Sequence, residues 1–132
     1  MELNSFDGME AELRAVSSAL TIPRSHECLA CYVLRMLDFG CHGAQWMRRY
    51  RELRAPRATT LERRMAMLGG YCDCELMMNV FDPNPRYFAT NELGEVIDQP
   101  MLECMGARTG STQPCPLWIG RRNRYGYSEG WP

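Results

Sequence analysis

Seven cysteines and two histidines, in a chain of 132 residues, are the side chains whose type and spacing could do chemistry. Cys28-x-x-Cys31 supplies one close pair, Cys72-x-Cys74 a second, and Cys41-His42 lies between them. Zinc takes four tetrahedral ligands, with sulfur at about 2.3 Å, so two thiolates close in sequence plus two from another element make a structural site. Each pair is a weak signal alone. Together they make Cys28, Cys31, Cys41, Cys72 and Cys74 candidate ligands for Zn2+. Cys28 and Cys31 fall at the expected start of a helix, where unpaired amides and the positive end of the dipole stabilise a thiolate. That position suits a metal ligand or a reactive thiol, and it also suits small buried residues. Cys104 and Cys115 have no close partner in sequence and are expected to be packing residues. His26 and His42 are expected at the surface or as caps, with His42 the nitrogen most available to a metal.

Geometry limits which of these residues can share one ion. If residues 31–39 are continuous helix, they span about 12 Å, whereas sulfurs on one zinc lie roughly 4 Å apart. Cys31 and Cys41 then cannot bind the same ion. An up-down bundle favours Cys41, Cys72, Cys74 and a fourth ligand such as His42, and a non-antiparallel packing favours Cys28, Cys31, Cys72 and Cys74. The sequence leaves both sets open.

Four helices are expected to position these residues. Asp7 to Leu20 carries Met9, Leu13, Val16 and Leu20 at helical spacing, with Asp7 placed to cap it. Residues 27–39 carry Leu29, Val33, Met36 and Leu37 on one stripe and stop at Gly40. Ala44 to Arg54 places Trp46, Tyr50 and Leu53 on one face, closed by Pro56. Thr59-Thr60-Leu61-Glu62 matches a capping box, and Leu61, Met65 and Leu68 follow before Gly69-Gly70. Leu76 to Phe81 is a short apolar run, read as a strand in preference to a helical turn. From Asp82 onward, Pro and Gly punctuate the chain too often for long elements. Met36, Met47, Met65, Met67, Met77 and Met78 are expected to fill the core. The expected fold is mainly α, a small bundle of about four helices with a zinc-bound cysteine knuckle and an irregular or short-strand C-terminal segment. Residues 1–81 are expected to form the helical zinc-binding domain, and 82–132 a Pro- and Gly-rich extension packed on it.

With 45% hydrophobic and 23% charged residues, the chain has the composition of one folded domain rather than of a disordered segment. It lacks an apolar run long enough for a membrane span, and its start lacks the pattern of a signal peptide, so a cytoplasmic location is expected. Thiols are kept reduced there, which favours metal binding over a disulfide framework. All 15 basic residues are Arg. Residues 48–64 hold seven Arg against two Glu, and residues 65–104 hold seven acids against one Arg. Arg48 to Arg64 around Tyr50, and Arg121, Arg122 and Arg124 before Tyr125 and Tyr127, could grip a phosphate backbone and stack on bases, as in ribosomal RNA. A solvated helix face explains the same residues, and Glu52 and Glu62 can pair with them locally.

The stretch Gly69-Gly70-Tyr71-Cys72-Asp73-Cys74-Glu75, followed by Asn79-Val80, resembles the signature G-G-[YF]-C-D-C-E-x-x-x-N-V of a family of uncharacterised small bacterial domains, found in actinobacteria. In that family an earlier Cys opens a C-D-H-T-L-R-like segment. Here Cys41-His42-Gly43-Ala44-Gln45-Trp46 stands in its place, with the histidine one residue early. The resemblance covers about residues 27–81. The longer form with Cys28-x-x-Cys31 is similar to a mycobacterial type of protein that recruits a hibernation factor to ribosomes when zinc is scarce. The resemblance implies a regulator or adaptor in a stress response, with a protein partner at the ribosome and with zinc-bound and zinc-free forms that differ in binding.

A non-enzymatic zinc protein is therefore expected. Two enzymes remain as alternatives on the same cysteines. A zinc hydrolase would need an open coordination position and a base such as Asp73 or Glu75. A thiol redox enzyme built on Cys28-x-x-Cys31 would ordinarily place the pair after a strand, and here the upstream pattern is helical. No catalytic triad, phosphate-binding glycine loop or paired carboxylate arrangement is present.

Overall fold

The structure is a computed structural model that describes residues 2–98 and 102–121. Five helices occur among them: α1 (Glu2–Leu20), α2 (Leu29–Met36), α3 (Gln45–Arg54), α4 (Leu61–Met67) and the single turn α5 (Asp73–Glu75). None of these is long and apolar enough to cross a membrane. A 3-10 turn, Leu37–Phe39, continues α2, and a π-type turn, Leu76–Val80, continues α5. Four short strands follow: β1 (Phe81–Pro83), β2 (Ala89–Thr90), β3 (Val96–Asp98) and β4 (Trp118–Gly120). They form two antiparallel pairs, β1 with β4 and β2 with β3.

The mainly α expectation holds, with one helix more than expected and with short strands in the C-terminal part. The run from Leu76 is a helical turn rather than a strand, and extended backbone begins only at Phe81. Helix α1 begins at Glu2, so Asp7 lies inside it instead of capping it. At α4 the expected capping box from Thr59 to Glu62 does not form: the helix starts at Leu61 with Thr60, not Thr59, as its N-cap and without a side-chain cap bond, and Glu62 is drawn to Arg51, whose Nε donates to its Oε1 at 2.7 Å.

The core is built on α2. Leu29, Ala30, Tyr32, Val33 and Met36 are buried against Trp46, Met47 and Tyr50 of α3, Leu61 and Met65 of α4, and Leu76, Val80 and Phe81. The two buried phenols are satisfied, with Tyr32 Oη donating to Thr21 O at 2.6 Å and Tyr50 Oη to Glu27 O at 2.8 Å. Met36, Met47 and Met65 fill the core as expected, whereas Met67 and Met78 are exposed. The apolar stripe of α1, Met9, Leu13, Val16 and Leu20, is also exposed.

Helix α4 ends in a paired glycine motif. Gly69, at φ +101°, donates to Ala66 O at 3.0 Å, and Gly70 donates to Met65 O at 2.8 Å, which closes the last turn as a Schellman motif does. A Cβ on Gly70 would lie 3.0 Å from Val80 Cγ2 and 3.2 Å from the Leu76 Cα, so this glycine also lets the next turn pack closely. Asn79 Nδ2 donates to Gly69 O at 2.8 Å. The glycine pair, Asn79 and Val80 thus bend the chain back immediately after α4, with Cys72 and Cys74 inside the bend.

Candidate metal centre

Cys28 is the N-cap of α2. Its backbone is extended (φ −78°, ψ 164°) and its Sγ accepts the Cys31 N–H at 3.4 Å, the role a serine or aspartate oxygen fills at other helices. The start of α2 is fixed by Glu27, a buried carboxylate. Glu27 receives Arg35 Nη2 at 2.7 Å, Arg35 Nε at 3.0 Å and the Arg24 N–H at 2.9 Å.

Two cysteines from the C-terminal part meet this pair. The Cys28 N–H donates to Cys104 Sγ at 3.2 Å, and Cys31 Sγ lies 3.8 Å from Cys115 Sγ. The four sulfurs of Cys28, Cys31, Cys104 and Cys115 all lie within 4.8 Å of one another, the one such cluster of ligand atoms among the described residues. Local structure delivers both partners. The Ala107 N–H donates to His26 O at 2.8 Å and the Gly106 N–H to Cys104 Sγ at 3.4 Å, which pins the Cys104 loop to the start of α2. Strand β4 pairs with β1 in the register Phe81↔Gly120 and Pro83↔Trp118, which fixes Cys115 just ahead of it. Trp118, packed on Phe88 at a ring distance of 5.9 Å, donates its indole Nε1–H to Cys31 Sγ at 3.2 Å.

Without a metal, the thiols of Cys28, Cys31 and Cys115 share protons unequally. Hydrogen bonding from Cys28, then from Cys31, pulls Cys115 far down toward thiolate. The same contact with Cys115 is the main cause that pushes Cys28 and Cys31 up, with burial adding to it. A thiolate ringed by thiols and N–H donors is poised to exchange its shared protons for a cation. Four close thiolate donors without a carboxylate or a backbone carbonyl suit a soft ion of the zinc class rather than magnesium or calcium. Cys28 is fully buried and Cys115 nearly so, at 0% and 2% exposure, so an ion held there would be shielded from solvent on that side.

The sequence-based candidates are therefore divided. Cys28 and Cys31 join Cys104 and Cys115, not Cys72 and Cys74. Their partners are the two cysteines expected only to pack, and they come from a segment with no spacing signal to announce them. The available signal was that a Cys-x-x-Cys pair in a reduced chain needs two further donors, and that a tail poor in regular structure needs an anchor.

Cys41, Cys72 and Cys74 gather elsewhere, beyond the other end of α2. The Cys74 N–H donates to Cys41 Sγ at 3.3 Å, and the Glu75 N–H to Cys72 Sγ at 3.4 Å. The Glu75 N–H draws the Cys72 thiol down, but burial and the neighbouring Cys41 thiol outweigh it and the net shift is upward. Asp73, between the two cysteines, is fully buried. Its carboxylate accepts the N–H groups of Trp46 at 2.9 Å and Met47 at 3.1 Å, the second and third residues of α3, while its own N–H donates to Gly43 O at 2.9 Å. Ala44 precedes α3 without a side-chain cap, so Asp73 caps that helix from a distant part of the chain. Burial raises its pKa despite the two N–H bonds that oppose the rise. His26 and His42 are both exposed, as expected.

Residues 29–79 match the family model described as Protein of unknown function (DUF2695). The matched stretch contains Cys31, Cys41, Cys72 and Cys74, and it stops short of Cys104 and Cys115. Neither the curated proteins nor the solved structures contain a match to the chain.

The Arg-rich stretch is partly committed to the fold. Arg49 Nε donates to Thr21 O at 3.0 Å, Arg54 Nη2 to Pro23 O at 2.6 Å, and Arg51 pairs with Glu62. Tyr50 is buried and cannot stack on a base. Arg48, Arg57 and Arg63 are exposed. Arg122, Arg124, Tyr125 and Tyr127, the rest of the basic aromatic pattern, lie outside the described residues.

Proposed function

We propose that this chain is a non-enzymatic zinc protein, a regulator or adaptor whose metal-bound and metal-free forms bind a partner differently. The observation that carries the reading is the meeting of Cys28 and Cys31 with Cys104 and Cys115. An ion on these four residues joins the N-terminus of α2 to a segment more than 70 residues away, so occupancy and the folding of the C-terminal part are one equilibrium. Structural zinc contributes about 10 to 16 kcal/mol in small peptides, comparable with the whole stability of a typical domain at about 5 to 15. Losing the ion would release the loop from Cys104 to Cys115, and with it β4 and its pairing to β1.

The two enzyme alternatives lose ground on specific residues. Asp73 is engaged as the cap of α3 and is not free to act as a base for a zinc hydrolase. Four protein thiolates on one ion leave no open position for water. Cys28-x-x-Cys31 follows residues 21–27, which contain no strand, so the context of a thiol redox enzyme is missing.

The partner is taken from the resemblance: a protein of the hibernation-factor kind, met at the ribosome in the cytoplasm, with the exposed Arg48, Arg57 and Arg63 as a secondary contact to rRNA. Co-sedimentation with purified ribosomes and their hibernation factor tests the reading, comparing zinc-loaded with chelator-treated chain. The bound fraction is expected to differ by about fivefold or more, the scale of ordinary coupling between two sites. Equal binding in both states would overturn the regulatory reading.

A further inference from the structure

A small cleft opens beside the start of α2. One wall is Ser25, His26 and Glu27, the other is the turn of residues 108–110, and Tyr50 and Arg54 of α3 stand between them. Tyr50 and Arg54 are four residues apart, which puts them on the same face of their helix. Hydrogen bonds tie the walls together. The Ala107 N–H donates to His26 O at 2.8 Å, and Tyr50 Oη reaches Glu27 O at 2.8 Å and Ser111 O at 3.4 Å. His26 stands at φ +60°, the one positive φ outside glycine among the described residues, a conformation that persists only where its surroundings hold it. Gly110, at φ +84°, allows the opposite turn, in which the Ser111 N–H donates to Arg108 O at 3.0 Å.

The cleft is basic and has donors to spare. Arg54 gives Nη2 to Pro23 O at 2.6 Å and to Arg24 O at 3.4 Å, but its Nε is screened from water and has no acceptor among the described residues. Arg108 is exposed and its side chain makes no ion pair among the described residues. The acid of the lining, Glu27, is already neutralised by Arg35 at 2.7 Å. Two guanidinium groups from different segments, with the hydroxyls of Ser25 and Thr109 beside them, can meet the oxygens of a tetrahedral anion from several directions. With a volume of about 130 Å³, the cleft is well below the roughly 300 to 1,000 Å³ of sites for drug-sized ligands, so it suits one phosphate group and not a whole nucleotide.

We infer that this cleft binds a phosphate group, free or carried on an RNA strand, between Arg54 and Arg108, and that it forms only while the cysteine quartet of Cys28, Cys31, Cys104 and Cys115 holds its ion. The two walls are the segments that the quartet fastens: residues 25–27 run directly into Cys28, and the Arg108 turn lies between Cys104 and Cys115. Loss of the ion frees the second wall and separates Arg108 from Arg54. Metal occupancy is thereby read out as phosphate affinity. This dependence rests on the reading of the quartet as a zinc centre, whereas the phosphate site itself rests on the cleft alone.

Calorimetric titration of inorganic phosphate into the purified full chain at constant ionic strength, zinc-loaded or chelator-treated and with the zinc content of each sample measured, tests both parts. One phosphate per zinc-loaded chain is expected, bound at least tenfold more weakly once the metal is removed. Arg108→Gln should weaken binding by about tenfold, the scale of one charged hydrogen bond, while Arg63→Gln, which removes an exposed charge outside the cleft, should leave it within about twofold. No saturable binding to a chain that carries its zinc would overturn the phosphate site and leave the metal centre standing, and so would equal weakening by the two substitutions. Binding through Arg108 that is the same with and without zinc would support the site and overturn its dependence on the metal. A chain that takes up no zinc yet binds phosphate through Arg108 would overturn the metal reading and keep the site. A fluorescent single-stranded RNA separates the two sources. RNA that is displaced by inorganic phosphate and weakened by Arg108→Gln supports an RNA phosphate in the cleft, whereas RNA binding that neither one affects overturns the RNA source and assigns the site to free phosphate.

Discussion

The backbone N–H of Cys28 donates to the sulfur of Cys104 at 3.2 Å, joining the cap of helix α2 to a loop 76 residues further along the chain. Neighbouring bonds reinforce the link: Ala107 to His26, Gly106 to Cys104, and Trp118 to Cys31. The candidate metal centre is thus assembled from two segments, each of which is pre-shaped by backbone donors.

Trp118 is the side chain outside the ligand set whose loss should be felt most. Its indole N–H orients the Cys31 sulfur and stabilises its charge, and outer partners of this kind typically contribute ten- to a hundredfold to metal affinity. Trp118→Phe keeps the ring packing on Phe88 and removes the donor. Competition with a chromophoric chelator should show zinc affinity at the quartet reduced by about tenfold or more, and Cys104→Ser, which removes a ligand, should reduce it further. Unchanged affinity in Trp118→Phe would mean that the bond has no bearing on the ion.

Asp73→Ala removes the acceptor for two buried N–H groups at the start of α3. A lost N-cap costs about 0.5 to 2 kcal/mol, and an unsatisfied buried donor about 1 to 3, so a destabilisation of about 2 kcal/mol is expected in urea unfolding. Asp73→Asn keeps one acceptor oxygen and should fall between the two. A destabilisation below about 0.5 kcal/mol in Asp73→Ala would contradict the capping role.

Much of the scaffold was legible because its signals are local. The closing proline of α3, the glycine pair after α4 and the glycine after the second helix all act within a few residues, and each stands where the pattern placed it, whereas of the α3 stripe Trp46 and Tyr50 are buried and Leu53 is exposed. The misses are long-range. Nothing near Cys104 or Cys115 in sequence marks them as ligands, since their partners are 76 and 84 residues away. Asp73 reads as a possible base until α3 is seen to lack a cap of its own. The capping box expected at Thr59 fails because the helix starts one residue later, with Thr60 as its N-cap, and because Glu62 is engaged by the competing charge of Arg51.

Zinc binding should release protons, and its affinity should rise with pH. In the metal-free cluster Cys28 and Cys31 are pushed up, chiefly by Cys115, and so carry protons at neutral pH, whereas Cys115 is pulled down toward thiolate. Metal must displace the protons on Cys28 and Cys31, so acid favours the metal-free form and alkali the bound form. Calorimetric titration at one pH in two buffers of different ionisation enthalpy measures this directly. A release of at least two protons per ion at the quartet is expected. An affinity independent of pH between 6 and 8 would contradict the assignment.

The most direct measurement is diffraction from crystals of the zinc-loaded chain, with an anomalous difference map at the zinc edge. A peak about 2.3 Å from the sulfurs of Cys28, Cys31, Cys104 and Cys115 is the expected result. Ordered electron density for those four side chains with no anomalous peak among them would contradict the account at its centre.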